Sequence, residues 1–209
     1  MLEVKDATIV AGERTLATRL SFIARDGQIT CITGPEGAGK TVLLRTLMGF
    51  LPVGSGFVSV DGELLTVLSA PAFRRLMVYL PQQMQMLAHQ MTPPEADLPK
   101  NIWLGPALEK ADDYDVWNDV LPNAVEAQPV EPLSPEEIFR LASETLQQAS
   151  DRSIVIADEP AALLTPELAQ QMLQLLRDQA DAGKTVLIAS RRQTLIEHAD
   201  QVIEMVKSE

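Results

Sequence analysis

The run Gly34-Pro35-Glu36-Gly37-Ala38-Gly39-Lys40-Thr41 places two glycines five residues apart, followed at once by lysine and threonine. This is the spacing G-x-x-x-x-G-K-[ST], and its chemistry is phosphate binding. Small residues let successive backbone N–H groups wrap a polyphosphate, Lys40 brings a charge to the outer phosphates, and the Thr41 hydroxyl is a natural Mg²⁺ ligand. A near-continuous apolar strand pattern from Gln28 to Thr33 precedes the run, and helical spacing from Val42 to Phe50 follows it. A helix start adds backbone donors and a favourable dipole for an anion. The flanks exclude a plain glycine turn carrying a surface lysine, and the expected ligand is a nucleoside triphosphate. Much further on, Ser153-Ile154-Val155-Ile156-Ala157 ends in two acids, Asp158 and Glu159. At a strand tip Asp158 would hold the Mg²⁺ water shell, and Glu159 would polarise or orient an attacking water.

The elements that must carry these residues follow from periodicity. Leu2 to Val10 and Thr15 to Ala24 alternate as two strands about a turn at Ala11 to Arg14. Gly54 and Gly56 interrupt the next pattern, and Phe57 to Leu65 about Asp61-Gly62 predicts a hairpin. Pro71 to Gln83 predicts a short helix, a short strand and an exit loop. Toward the end the rhythm is helix 135–150, strand 153–157, helix 166–182, strand 185–190, a helix from Gln193 and a strand from Gln201. Strands alternating with helices predict an α/β, three-layer, mostly parallel sheet.

Composition narrows the function further. The chain has 209 residues and a net charge of −12, which argues against nucleic acid as a partner because phosphate backbones need basic surface. Residues 91–140 hold eleven Asp or Glu, three Lys or Arg and eight of the fourteen prolines, as expected of short helices broken by turns on a solvated lobe. Disorder is the alternative for 107–128. The apolar runs are too short to span a bilayer and no apolar leader opens the chain, so a cytoplasmic protein without direct membrane insertion is expected. The lone cysteine, Cys31, sits in an apolar strand pattern and is expected to be an inert core thiol.

The order of Gly34 to Thr41, Tyr79-Leu80-Pro81-Gln82-Gln83, an inserted lobe, Leu133 to Glu137, Ile154 to Pro160 and Thr185 to Ser190 resembles the ATP-binding subunit of ABC transporters along essentially the whole chain. The resemblance implies a single P-loop NTPase domain, with residues 1–83 and 151–209 as the nucleotide-binding core, an antiparallel β subdomain, and residues 84–150 as a small helical lobe. It also implies ATP and Mg²⁺ as ligands. Two subunits would sandwich ATP head to tail at the inner face of the cell membrane, beneath a permease-type membrane protein, as a homodimer or as a heterodimer with a paralogous ATP-binding subunit. Gln82, or in second place Gln83, would be the glutamine that joins Mg²⁺ and the attacking water to the permease contact.

Four departures from the family pattern bear on activity. The signature L-S-G-G-Q reads Leu133-Ser134-Pro135-Glu136-Glu137. Pro135 lacks an N–H, and Glu136 and Glu137 put negative charge where the partner's terminal phosphate should sit. A carboxylate ~4 Å from a phosphate charge costs roughly 1 kcal/mol in water and about 4 kcal/mol at a semi-buried site. The same residues make a strong helix start, with Ser134 as N-cap, Pro135 first and Glu137 closing a capping box; phosphate contact by Ser134 and pure capping are both open. Arg191 stands where the family has a histidine after the last apolar strand: it is either a fixed cation for the terminal phosphate or half of a solvated arginine pair with Arg192. Thr165 replaces an aspartate used across the dimer, and no aromatic near Ala11 is available to stack on adenine. The expected function is a slow or partner-dependent ATPase subunit. The alternative is a nucleotide-binding adaptor with negligible hydrolysis: Glu159 favours the first, Pro135 to Glu137 and Arg191 the second.

Overall fold

A computed structural model describes residues 1–12, 14–82, 84 and 132–206; Gln83 and most of the acidic lobe, including 107–128, lie outside the described residues. The antiparallel part contains β1 (Leu2–Ala11), β2 (Arg14–Ala24), β4 (Val53–Val60) and β5 (Glu63–Leu64) in the order β2-β1-β4-β5. The parallel part contains β3 (Ile29–Thr33), β6 (Met77–Leu80), β7 (Ile154–Asp158), β8 (Thr185–Ala189) and β9 (Gln201–Glu204) in the order β6-β7-β8-β3-β9. Among the described residues the helices are α1 (Lys40–Leu47), α2 (Ala70–Arg75), α3 (Pro135–Gln148), α4 (Pro166–Asp181) and α5 (Gln193–Glu197).

The central strands are buried and almost entirely apolar because both faces of the parallel sheet are covered. With a period of two, Ile32, Ile154, Ile156, Leu187 and Ala189 meet α1 and the antiparallel sheet. Cys31, Val155, Ala157, Val186 and Ile188 meet Ile138, Leu141 and Leu146 of α3, together with Met172 and Leu176 of α4. Each of the buried Val, Leu, Ile and Met side chains among them contributes about 1.5–3 kcal/mol relative to exposure. Helix α3, which the sequence groups with the lobe, thus shares one core with the sheet. Cys31 is fully buried; burial first, then the Glu159 charge, push its thiol up to about 12, which matches an inert core residue.

Two boundaries differ from the sequence expectation. Gly54 and Gly56 lie inside β4 rather than ending a pattern. At Gly56 the φ is +75°, and a Cβ would stand 2.3 Å from Asp6 O, beside the register shift between Lys5 and Thr8. Glycine here admits a bulge into the strand. Helix α1 begins at Lys40, two residues earlier than its apolar spacing suggests, so the motif lysine itself is in the first turn.

The lower edge of the sheet is tied to α4 through Asp200. Its Oδ2 accepts from Ile29 N at 2.7 Å and from Arg177 Nη1 at 2.8 Å. Burial pushes its carboxyl up, but the Ile29 and Arg177 bonds prevail and hold it below the ordinary value. A depressed carboxyl stabilises the fold above its unfolded value, near 3.9, and that stabilisation is lost as pH falls through the folded value. Asp200→Asn is therefore expected to lower stability by about 1 kcal/mol at neutral pH, a modest figure because a third of the side chain is exposed and screened. In denaturant melts the gap between variant and parent should close under acid conditions; a gap independent of pH would contradict the role of the charge.

Candidate active site

Four adjacent parallel strands deliver the site from their carboxyl ends, where open α/β sheets bind ligands. The loop 34–39 leaves β3, Asp158 ends β7 with Glu159 just beyond it, Arg191 follows β8 and Gln82 follows β6. Of these, Glu36, Gly37, Gly39, Gln82, Asp158, Glu159 and Arg191 line a cleft of about 370 Å³, together with Lys40 and Thr41 of α1.

In the loop, Gly39 precedes α1 with φ +92° and no side-chain cap, which leaves first-turn N–H groups free for an anion. A Cβ at Gly39 would also come within 2.7 Å of Leu16 Cδ1. Lys40 is 8% exposed, and its Nζ donates to Gly34 O at 2.9 Å and Pro35 O at 3.2 Å. Ala38 N closes the loop on Pro35 O at 3.2 Å. The lysine charge is thus held over the loop by carbonyls that a phosphate can replace.

Asp158 is 1% exposed, and its Oδ1 is buried with no hydrogen-bond partner. Burial pushes its carboxyl up and Glu159 adds to this, while Thr41, Arg45 and Lys40 act in the opposite direction. An orphaned carboxylate oxygen beside a threonine hydroxyl is a donor set that fits Mg²⁺. Among the described residues no three His, Cys, Asp or Glu side chains gather into a cage. Tyr79 of β6, not singled out from sequence, lies against Asp158; burial and then the Asp158 charge push its phenol well up, so it stays a neutral donor.

Glu159 takes a left-handed φ of +48°, a conformation that costs a non-glycine residue about 1–3 kcal/mol. A bond from its N–H to Ala189 O at 2.8 Å secures it. Its Oε1 lies 4.0 Å from Lys40 Nζ and accepts from Arg191 Nε at 3.3 Å, and its Oε2 accepts from Arg191 N at 3.3 Å. Arg191 Nη1 continues to Glu36 Oε2 at 3.1 Å. Arg191 and Arg192 are therefore not a solvated pair: Arg192 donates to Ala161 O and Leu164 O, bracing the segment after Glu159. Gln82 is exposed at the cleft rim.

Ser134 is not brought to this cleft. It caps α3, accepting from Glu137 N at 3.3 Å while its own N–H donates to Glu137 Oε2 at 2.8 Å. The Ser134 N–H and then its hydroxyl hold the Glu137 carboxyl below its ordinary value, so that charge persists at neutral pH. Thr165 likewise caps α4 through Leu168 N at 3.3 Å. Arg14 and Leu16 also line the cleft with Ala11, and sequence reasoning missed both. Their signal was position alone: they follow Ala11 across the turn into β2.

A glycine-rich loop between a buried parallel strand and a helix, with two acids at the tip of a strand in the same sheet, defines a P-loop nucleoside triphosphatase. The family profile for ABC transporters matches residues 17–162, and the chain belongs to that family as an ATP-binding domain. It is 31% identical over 97% of its length to an ABC transporter ATP-binding/permease protein of Mycobacterium tuberculosis, of which it spans 24%. It is 33% identical to a thiamine import ATP-binding protein of Photobacterium profundum, covering 83% of this chain and 71% of the relative. To a cytochrome c biogenesis ATP-binding export protein of Idiomarina loihiensis it is 29% identical, over 92% of this chain and 86% of the other. The chain thus spans only a quarter of the first relative and most of the other two. Among solved structures, an ATP-binding cassette bound to ADP and Pi superposes with a TM-score of 0.67 at 18% identity, covering 100% of this chain and 97% of the other.

Proposed function

We propose that this domain binds ATP with Mg²⁺ and hydrolyses it as the energy-supplying part of an ABC-type membrane transport complex. The observation that carries the proposal is the convergence of buried Lys40, Asp158 and Glu159 on one cleft with the phosphate loop. Lys40 would exchange the Gly34 and Pro35 carbonyls for outer phosphate oxygens. Thr41 and Asp158, with Gln82 at the rim, would hold Mg²⁺, whose charge offsets that of the phosphates when bound. Glu159 would orient a water and take its proton as the water oxygen bonds to the terminal phosphorus and the bond to the ADP oxygen breaks.

Ser134 is proposed to face a second ATP-binding subunit, identical or paralogous, and to meet phosphate only across that interface. A permease-type protein would hold the pair at the inner face of the cell membrane, with the domain cytoplasmic and peripheral. Among the described residues no helix is long and apolar enough to cross a membrane, in keeping with a separate membrane partner.

The capped start of α3 supplies the test. Changing Pro135, Glu136 and Glu137 to Gly, Gly and Gln restores the one backbone donor that Pro135 lacks and removes two charges. ATP-dependent dimerisation, followed by light scattering in a Glu159→Gln background, should strengthen, and hydrolysis without that change should rise. Stability should fall, because glycines in place of Pro135 and Glu136 in the first turn each cost roughly 0.5–1 kcal/mol, whereas a glutamine at 137 can still close the capping box. A loss of stability with no gain in dimer or turnover would leave the stretch as a cap alone and favour the adaptor function.

A further inference from the structure

The strand order β7-β8-β3 puts the loop after β8 between the tip of β7 and the phosphate loop. Arg191 is the residue that fills this gap. Its backbone N–H and Nε occupy both carboxylate oxygens of Glu159, at 3.3 Å each, and its Nη1 reaches Glu36 at 3.1 Å. Both oxygens of the carboxylate that should accept a proton from water thus already carry an Arg191 donor. The two ends of the bridge differ in strength. Glu159 is 8% exposed, whereas Glu36 is 87% exposed, and an exposed ion pair is worth only ~0–1 kcal/mol. The Glu36 end can yield to a competing anion, and the cleft that Arg191, Glu36 and Glu159 line is where the outer phosphates would lie.

We propose that Arg191 is a phosphate-released clasp on Glu159, with Glu36 as its counterweight on the phosphate loop. It is a positioning residue and rests on the ATP-binding assignment above. With no third phosphate present, the guanidinium spans Glu159 and Glu36 and keeps the general base engaged. A terminal phosphate outbids Glu36 for the planar donor fork, since a phosphate carries more charge and more acceptor oxygens than a carboxylate. As the guanidinium turns to it, Glu159 Oε1 loses its cationic donor and becomes the stronger base toward water, while Oε2 stays anchored on the Arg191 backbone N–H. ADP lacks the phosphate that opens the clasp, so Glu159 remains engaged after hydrolysis. No bond other than hydrogen bonds changes in this step, and the one cation passes from one anion to another.

The test measures ATP, ADP and inorganic triphosphate affinity by titration calorimetry for the parent, Glu36→Gln, Arg191→Gln and the double variant, all with Mg²⁺. Arg191→Gln should lower ATP and triphosphate affinity roughly tenfold and ADP affinity by less than about twofold, the difference of one charge-assisted contact. Glu36→Gln removes the competitor and a like charge, so ATP affinity should rise about threefold or more with little change for ADP. The two effects should not add in the double variant, because the residues share one partner. Equal changes for ATP and ADP, or additive changes, would overturn the clasp and leave Arg191 as a general contributor of charge. Should Arg191→Gln fail to fold, Glu36→Gln decides alone, since its side chain is almost fully in solvent: no selective gain for ATP sinks the proposal. Arg191→Lys keeps charge without the fork; full recovery of the ATP-to-ADP ratio by lysine would also count against a bridge. Binding of ATP that survives Lys40→Ala would instead indict the ATP assignment itself.

Discussion

Lys40→Ala is expected to weaken ATP binding by about 100-fold or more, the loss of roughly 3 kcal/mol from a buried charge paired with phosphate. The side chain is 8% exposed and held above the loop by two carbonyls. Its charge is therefore preorganised, and little ordering cost is left to meet when the ligand arrives. The substitution removes two bonds to an otherwise intact loop, so melting should shift far less than affinity does. Titration of the variant with ATP and Mg²⁺ checks this directly. Affinity within a few fold of the parent would remove the loop 34–39 from the binding site.

Glu159→Gln should reduce turnover by about 10²–10⁴-fold, the usual range for loss of a positioned general base, while leaving ATP bound as tightly as before or tighter. Tighter binding follows from removing one negative charge beside the phosphates. Folding should be spared, because glutamine fits the same left-handed backbone as Glu159 about equally well and its amide oxygen can still accept from Arg191 N. Single-turnover hydrolysis beside equilibrium binding separates the two effects. Unchanged single-turnover rates would mean that water is oriented elsewhere and that Glu159 serves only as the partner of Arg191.

Both substitutions fall on residues whose chemistry is legible in the chain itself. Gly34 to Thr41 carry theirs locally: backbone donors, a lysine and a hydroxyl all come from one loop and one helix turn, so spacing alone specifies them. The same holds for the cap at Ser134 to Glu137, where every bond lies within four residues. Cys31 and the apolar strands are legible because burial on both faces leaves no polar alternation. Boundaries are less clear. Gly56 reads as a break, yet its missing side chain is what lets β4 pass Asp6 in a bulge.

What the sequence by itself determined, then, is the class of ligand, the alternating α/β framework and the identity of the two strand-tip acids. Only the tertiary structure decided how the acids and the arginine meet. Glu36, Glu159 and Arg191 are separated by 123 and 32 residues along the chain, and nothing in their local spacing pairs them. They come together because β8 lies between β7 and β3, so the loop after β8 is forced into the space between Glu159 and the phosphate loop. The same non-local order sets Tyr79 against Asp158 and buries Asp158 Oδ1 without a partner. Periodicity reports which face of an element is apolar, but strand order is a property of the packed sheet. Charge pairing across loops is visible only once that order is known.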